Sequence, residues 1–161
     1  IDIDARKMFF NAHIKSHIDY CSTIWDGSAE DNKKKLGSLY RRAAKQILPD
    51  PTLTTDQKLL KLQMLPLDNH LLFNKGIMMY KVWTQSIPTY LSSMFSKTQS
   101  KYANSRKNFN LPLPRKNFYK ASLSFSGPKL WNMLPLNVKN VSTLSTFKTK
   151  LFQFLLTYEP P

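Results

Sequence analysis

The chain has 161 residues, of which 42% are hydrophobic and 12% aromatic, and its formal net charge at pH 7 is +14. This length and this aromatic content exclude a disordered chain and predict a protein that buries a hydrophobic core. No apolar run approaches the roughly 20 residues of a membrane-spanning helix, so we expect no membrane partner.

The sequence pattern of residues 1–50 predicts a pair of helices. Apolar residues recur at helical spacing over residues 3–24, and Asp26-Gly27-Ser28 is expected to end that helix. A second amphipathic helix is predicted to begin near Asp31 and to end before Pro49. We interpret residues 1–50 as one unit, and residues 51–161 as a second, basic domain.

Two helices are predicted at the start of the second unit. Thr54 and Gln57 have the spacing of a capping box, and the helix that they open is expected to end at Pro66. Asp68 can cap the next helix, which is predicted to run to about Gln85. Both helices are amphipathic or apolar, as elements that pack in a core should be.

The middle of this unit is predicted to be less regular. Pro88 fits the first turn of a short helix. Residues 97–126 are polar and basic, Pro112 and Pro114 rule out a continuous helix there, and residues 122–125 alternate in polarity. We therefore predict short strands or an extended segment over this range.

Helices return towards the end of the chain. Gly127-Pro128 is predicted to begin one helical turn, and Ser142 or Thr143 to cap a final amphipathic helix. The predicted fold class is mainly α, with amphipathic helices and a small β-hairpin or extended basic segment around residues 100–126.

Charge is distributed unequally along the chain. Residues 1–50 hold nine basic and seven acidic side chains, a balance of +2, whereas residues 51–161 hold fifteen and three, a balance of +12. Residues 69–158 contain thirteen Lys and Arg and no Asp or Glu. A one-signed surface repels itself unless an anionic partner neutralises it, and nucleic acid is the commonest such partner. The alternative is a charge bias that only keeps the chain in solution.

Two basic segments are the candidate binding surfaces. The helix predicted at residues 31–48 carries Arg41, Arg42 and Lys45, and we expect its two arginines to contact the nucleic-acid backbone, the alternative being a solvated face paired with nearby acids. In residues 97–129, aromatic side chains lie among eight basic ones and can either stack on unpaired bases or pack in the core. The candidate residues of this second segment are Lys97, Lys101, Tyr102, Arg106, Lys107, Phe109, Arg115, Lys116, Phe118, Tyr119, Lys120 and Lys129.

Patterns typical of catalysis are absent from the sequence. There is no adjacent pair of aspartates, no glycine-rich phosphate loop and no Cys-x-x-Cys, so we expect no catalytic residue and no cofactor. His13 and His17 have the spacing of a zinc pair, but Cys21 would lie about 12 Å from His13 along a helix, too far to share one ion. We therefore expect no metal site.

Two features concern the origin of the chain. The single cysteine, Cys21, excludes an internal disulfide and favours a reducing, intracellular compartment, either nucleus or cytoplasm. Because the first residue is Ile rather than Met, we expect the chain to be a piece of a longer protein.

Six segments are informative when taken in chain order: NAHIKSHIDYCSTIW at 11–25, LYRRAAKQI at 39–47, LQMLPLD at 62–68, PTYL at 88–91, SFSGPKLWNMLP at 124–135 and FKTKL at 147–151. In the same order, they resemble the region downstream of the palm in reverse transcriptases of LINE-type (non-LTR) retrotransposons. The family carries its polymerase acids in the palm, which precedes all these segments. The resemblance therefore implies the end of the thumb and a C-terminal domain that bind template RNA or the target-primed RNA/DNA duplex without catalysing synthesis, beside an upstream palm domain.

Two classes of function follow from the sequence. The first is a non-catalytic nucleic-acid-binding region of a retroelement reverse transcriptase, or of a protein coopted from one. The second is a helical protein-interaction module, in which the helices at residues 3–25 and 31–48 present an apolar groove and the basic half binds an acidic protein. An independent enzyme is disfavoured, because the acid-poor half leaves little general acid–base chemistry.

Overall fold

The computed structural model describes residues 2–28, 30–99 and 107–158, and over these ranges the chain is mainly α-helical, as predicted. The candidate residues Lys101, Tyr102 and Arg106 lie outside the described ranges. The helices are α1 (Ile3–Phe10), a π-helical stretch (Asn11–Lys15), α2 (Ser16–Asp19), α3 (Ser22–Trp25), α4 (Glu30–Ile47), α5 (Thr55–Lys61), α6 (Leu67–Trp83), α7 (Thr89–Ser92), α8 (Asn117–Ala121), α9 (Leu123–Met133), α10 (Leu136–Lys139) and α11 (Leu144–Leu156). None of the described helices combines the length and apolarity that a bilayer crossing requires.

The predicted first helix is interrupted. The helical backbone runs to Asp19, Tyr20 is extended, and Cys21 has a left-handed conformation with φ of 51° before α3 begins. The indole Nε1 of Trp25 donates a hydrogen bond to the carbonyl of Tyr20 at 2.9 Å, which holds the turn. Apolar spacing alone did not reveal this break, because the side chains on both sides of it still reach one core.

Of the two helix starts predicted around α5 and α6, one is confirmed and the other is wrong. The capping box is confirmed, since Thr54 N donates to Gln57 Oε1 at 2.9 Å and Gln57 N to Thr54 Oγ1 at 3.3 Å. The prediction that Asp68 caps the next helix is wrong, because α6 starts two residues earlier, with Pro66 as its N-cap, and Asp68 lies in its first turn. A carboxylate there still interacts favourably with the helix dipole.

Helix α6 is the central element of the fold and packs against α3, α4, α9 and α11. Its N-terminal half lies in one hydrophobic cluster with α4 and α5, and its C-terminal half in a second cluster with α9 and α11. Gly76 allows the second contact, since a β-carbon there would lie 2.6 Å from Leu151 Cδ2. The first cluster draws on both sides of residue 50, and the division into two units therefore stays a prediction.

The region after Pro114 is more helical than the sequence suggests. The strand predicted at residues 122–125 is wrong, because α9 already begins at Leu123, and Gly127-Pro128 lies inside this helix rather than at its start. Pro128 is fully buried, so packing on α6 stabilises a helix that local preference disfavours. Thr143 is confirmed as the cap of the last helix, with its Oγ1 accepting from Thr146 N at 3.2 Å.

The predicted β-hairpin is reduced to one contact. Lys97 and Phe109 form an isolated antiparallel bridge, and no longer strand is found in the described ranges. The chain therefore belongs to the mainly α class, and the described residues of the predicted extended segment pair only in a short stem.

Candidate nucleic-acid interface

A short stem forms where residues 96–98 pair with residues 108–110. Thr98 N donates to the Asn108 carbonyl at 2.9 Å, and Asn110 N donates to the Ser96 carbonyl at 2.8 Å. The Asn110 side chain adds hydrogen bonds on the same stem, one of them with Thr98 Oγ1 at 3.1 Å. Backbone and side-chain hydrogen bonds together therefore hold the two sides of the stem in register.

Side chains of α9 fasten this stem to the core. Asn132 accepts from Phe109 N through Oδ1 and donates to the Phe109 carbonyl through Nδ2, both at 2.8 Å. The indole Nε1 of Trp131 donates to the Lys107 carbonyl at 2.8 Å. The Asn132 side chain thus makes both backbone hydrogen bonds with Phe109 that a neighbouring β-strand would otherwise make. The Trp131-Asn132 dipeptide, for which the sequence offers no functional reason, has a positioning role.

Lys139, at the end of α10, also binds the stem, and with Trp131 and Asn132 it forms a clamp around residues 107–109. Its side chain is 4% exposed, and Nζ donates to Asn108 Oδ1 at 3.0 Å and to the Asn132 carbonyl at 3.1 Å. Burial lowers the pKa of Lys139 to about 8, because these neutral acceptors only partly replace the lost water. This lysine serves the fold and is not available to a phosphate.

The two cations nearest the stem are partly engaged within the chain. Lys97 Nζ donates to the Trp83 carbonyl at 2.9 Å and lies 4.4 Å from the centroid of the Trp83 ring. The Lys107 side chain is half-buried. Both cations are therefore partly held within the chain, although neither has an acidic partner among the described residues.

Four cations beyond the stem are exposed. They are Arg115, Lys116, Lys120 and Lys129, called here the four-cation group. Within the described part of the chain, no acidic side chain lies within salt-bridge distance of any of them. Their positive charge is therefore not neutralised by the described residues.

The described aromatic candidates differ in exposure: one is buried and two are exposed. Phe109 is only 2% exposed and packs edge-on against Trp83 and Trp131, at centroid distances of 5.3 and 5.9 Å, so the prediction that it stacks on a base is wrong. Phe118 and Tyr119 lie on α8 and are both exposed. Of the aromatic candidates that the structure describes, only these two can reach a ligand.

Helix α8 is seated against the loop that follows α3. A β-carbon at Gly27 would lie 2.9 Å from the carbonyl oxygen of Ala121, so only glycine permits this approach. Because α8 also packs on α9, Phe118 projects from a supported helix rather than from a free loop.

The basic face of α4 is a second exposed surface. Arg41, Arg42 and Lys45 point to solvent, while Tyr40 and Ala44 are buried on the opposite face. None of these three cations has an acidic partner among the residues that the structure describes. Helix α4 packs on α1, α5 and α6, whereas the four-cation group lies around α8 and α9. The predicted cations therefore lie on elements that have different neighbours.

One acidic residue of the first helices, Asp19, is engaged internally. Burial opposes ionisation of Asp19, but hydrogen bonds from His70, Lys15 and Asn74 outweigh that effect and hold the pKa of Asp19 well below its usual range. Asn74 also donates to Ser22 Oγ at 3.1 Å. This polar cluster ties α2 and α3 to α6, and no sequence signal pointed to it because His70 is distant in the chain.

The candidate zinc residues do not form a site. His13 packs against the Phe9 ring with centroids 4.5 Å apart, and His17 and Cys21 are exposed. Among the described residues, no group of three or more His, Cys, Asp or Glu side chains is placed to hold a metal ion.

Comparison with known proteins adds no relative: no protein-family model matches the sequence, and no curated protein or solved structure is significantly similar to it.

Proposed function

We propose that this chain is a non-catalytic nucleic-acid-binding module, the C-terminal region of a LINE-type reverse transcriptase or a coopted derivative of one. The observation that carries the proposal is the four-cation group, whose charges have no described acidic partner although the adjoining stem is clamped to the core. A group of exposed charges of one sign repels itself, and an anionic ligand such as a nucleic-acid backbone would neutralise it.

The module would hold its ligand chiefly through phosphates. The four-cation group contacts one stretch of backbone, and Arg41, Arg42 and Lys45 contact another, which positions the nucleic acid without reading its sequence. The expected ligands are template RNA and the target-primed RNA/DNA duplex, and an upstream palm domain would supply the catalytic acids. The chain itself would act inside the cell, in the nucleus or the cytoplasm.

Salt dependence tests the proposal. If all seven cations meet phosphates, the slope of log affinity against log salt is about −5 to −6, of which the four-cation group contributes about −3 to −4. Replacing Lys116 and Lys120 by Glu should flatten the slope by about a third, while the fold survives because exposed charges contribute little to stability.

A matched variant controls for net charge. Lys61→Glu with Lys148→Glu removes the same charge from exposed lysines on α5 and α11. We expect this control to keep most of the slope. Equal flattening in both variants would mean that only net charge matters, and an unchanged slope in K116E/K120E would refute the proposal.

A protein-interaction module is the second candidate function. Met8 and Phe9 on α1 are largely exposed, although Phe10 packs on Tyr40 of α4 with centroids 5.4 Å apart. The two helices therefore close on each other, and the free apolar surface is the outer face of α1 rather than a groove between them. Binding to that face would be nearly insensitive to salt and abolished by Met8→Glu with Phe9→Glu.

A further inference from the structure

The most exposed aromatic ring in the described part of the chain lies next to the four-cation group. Phe118 is 86% exposed and Leu113, five residues earlier, is 95% exposed. A single exposed apolar residue is ordinary. Here, however, both belong to one segment that also carries Arg115, Lys116 and Lys120, so apolar and cationic groups share one surface.

Phe118 stands between two shallow grooves. The first, of about 420 Å³, lies between α3 and α8 and is lined mainly by Ile24, Trp25 and Leu123 beside Phe118. The second, of about 380 Å³, lies before α8 and is lined by Leu113, Pro114, Arg115, Lys116, Phe118 and Tyr119. Both volumes fall in the range of roughly 300–1,000 Å³ typical of small-molecule sites, and neither groove is lined by an acidic side chain.

The charges around the ring identify the occupant. Arg115 and Lys116 line the second groove together with Phe118, and Lys120 follows two residues later on the same short helix. The groups that would neutralise them are regularly spaced anions joined by flat apolar rings. An unpaired nucleic-acid strand has this chemistry, because its bases are not covered by a complementary strand and can be separated.

We propose that α8 and the two grooves beside it hold an unpaired stretch of nucleic acid, with one base stacked on Phe118 and phosphates on Arg115, Lys116 and Lys120. The inference rests on the nucleic-acid binding proposed above and narrows it to single strands at this site. A duplex would meet the same cations, but its bases are already stacked on one another and would leave Phe118 without a partner.

Binding of two matched ligands tests this inference. A labelled oligouridine of about 15 nucleotides, long enough to cover a single-strand site, is compared with a duplex RNA hairpin at one salt concentration. Loss of one base–aromatic stack weakens binding by about fivefold or more. We expect Phe118→Ala to show that loss on oligouridine and less than about twofold on the hairpin, and Phe118→Trp to restore binding.

The control and a second readout keep the test decisive. Tyr90→Ala removes an exposed ring from α7, outside both grooves, and should change neither affinity. The fluorescence of 2-aminopurine placed in the oligonucleotide should be quenched on binding the wild-type chain, because the base stacks on an aromatic ring. Quenching should be lost in Phe118→Ala, and if that variant fails to fold, wild-type quenching and the Phe118→Trp affinity decide the question.

Each other outcome has one meaning. If the wild-type chain binds neither ligand, both the proposed function and this inference fail. If it binds both and Phe118→Ala weakens neither or both equally, the inference fails and the proposed function stands. If Phe118→Ala leaves oligouridine binding intact but releases the chain from vesicles of anionic phospholipid, the occupant is a lipid surface and the inference is overturned.

Discussion

In the first fifty residues, Asp19, Asp26 and Glu30 each lie against a cation of the same chain, whereas the four-cation group around α8 has no acidic partner in the described ranges. In the first region two of these pairs, Asp19 with His70 and Asp26 with Lys75, join α2 and the end of α3 to α6. In the second region hydrogen bonds and packing hold the backbone, which leaves the charge free for a ligand.

The largest effect should come from breaking the most buried ion pair of the first region. Lys75 on α6 is 5% exposed and pairs with Asp26, at the end of α3. Asp26→Ala leaves the ammonium buried without a counter-charge, which we expect to lower the free energy of unfolding by about 3–5 kcal/mol in urea titrations.

A double variant isolates the cause of that loss. Asp26→Ala with Lys75→Met removes both charges and should recover most of the stability, because no unpaired buried charge remains. Asp31→Ala, on the exposed surface of α4, is the control and should change stability little. A double variant no more stable than the single one would show that the pair is not what holds α3 to α6.

The second region should respond to loss of a hydrogen bond rather than of a charge. Asn132→Ala leaves the N–H and the carbonyl of Phe109 without partners, at a cost of about 1–3 kcal/mol for a buried group. We expect a loss of about 2–3 kcal/mol, measured by urea unfolding, and weaker binding of oligouridine. Asn137→Ala, which truncates an exposed side chain on α10, should leave both quantities unchanged. A variant that loses stability but keeps its affinity would limit the clamp to a role in folding.

The smallest effect is a pH dependence in the first region. The pKa of Asp19 is lower in the folded chain than in the unfolded one, so the unfolded chain binds more protons at acidic pH. Asp19 therefore stabilises the fold fully above about pH 4 to 5, and that contribution is lost as the pH falls below this range. Urea midpoints measured across acidic pH should fall less steeply in Asp19→Asn than in wild type. Asp31→Asn should keep the wild-type slope, and identical slopes for wild type and Asp19→Asn would contradict the assignment.

Part of the fold and of the candidate site was predictable from local pattern. Thr54 and Thr143 cap their helices through residues three positions away, so a short window of sequence contains the whole interaction. The exposed cations on α4 and around α8 were likewise visible, because long charged side chains are seldom buried without a partner. Other parts were not visible, since Phe109 lies among basic residues yet is enclosed by rings from distant segments.

The sequence by itself determined the mainly helical class, the ends of α4 and the concentration of positive charge after residue 50, all of which depend on side chains close in the chain. Only the tertiary structure decided that Cys21 interrupts the first helix, that α9 starts at Leu123, and that Asn132 holds the stem while Phe118 remains exposed. The physical reason is the same in each case. These outcomes depend on contacts between residues far apart in sequence, and such contacts can outweigh the small local preferences of about 1 kcal/mol per residue on which a sequence pattern rests.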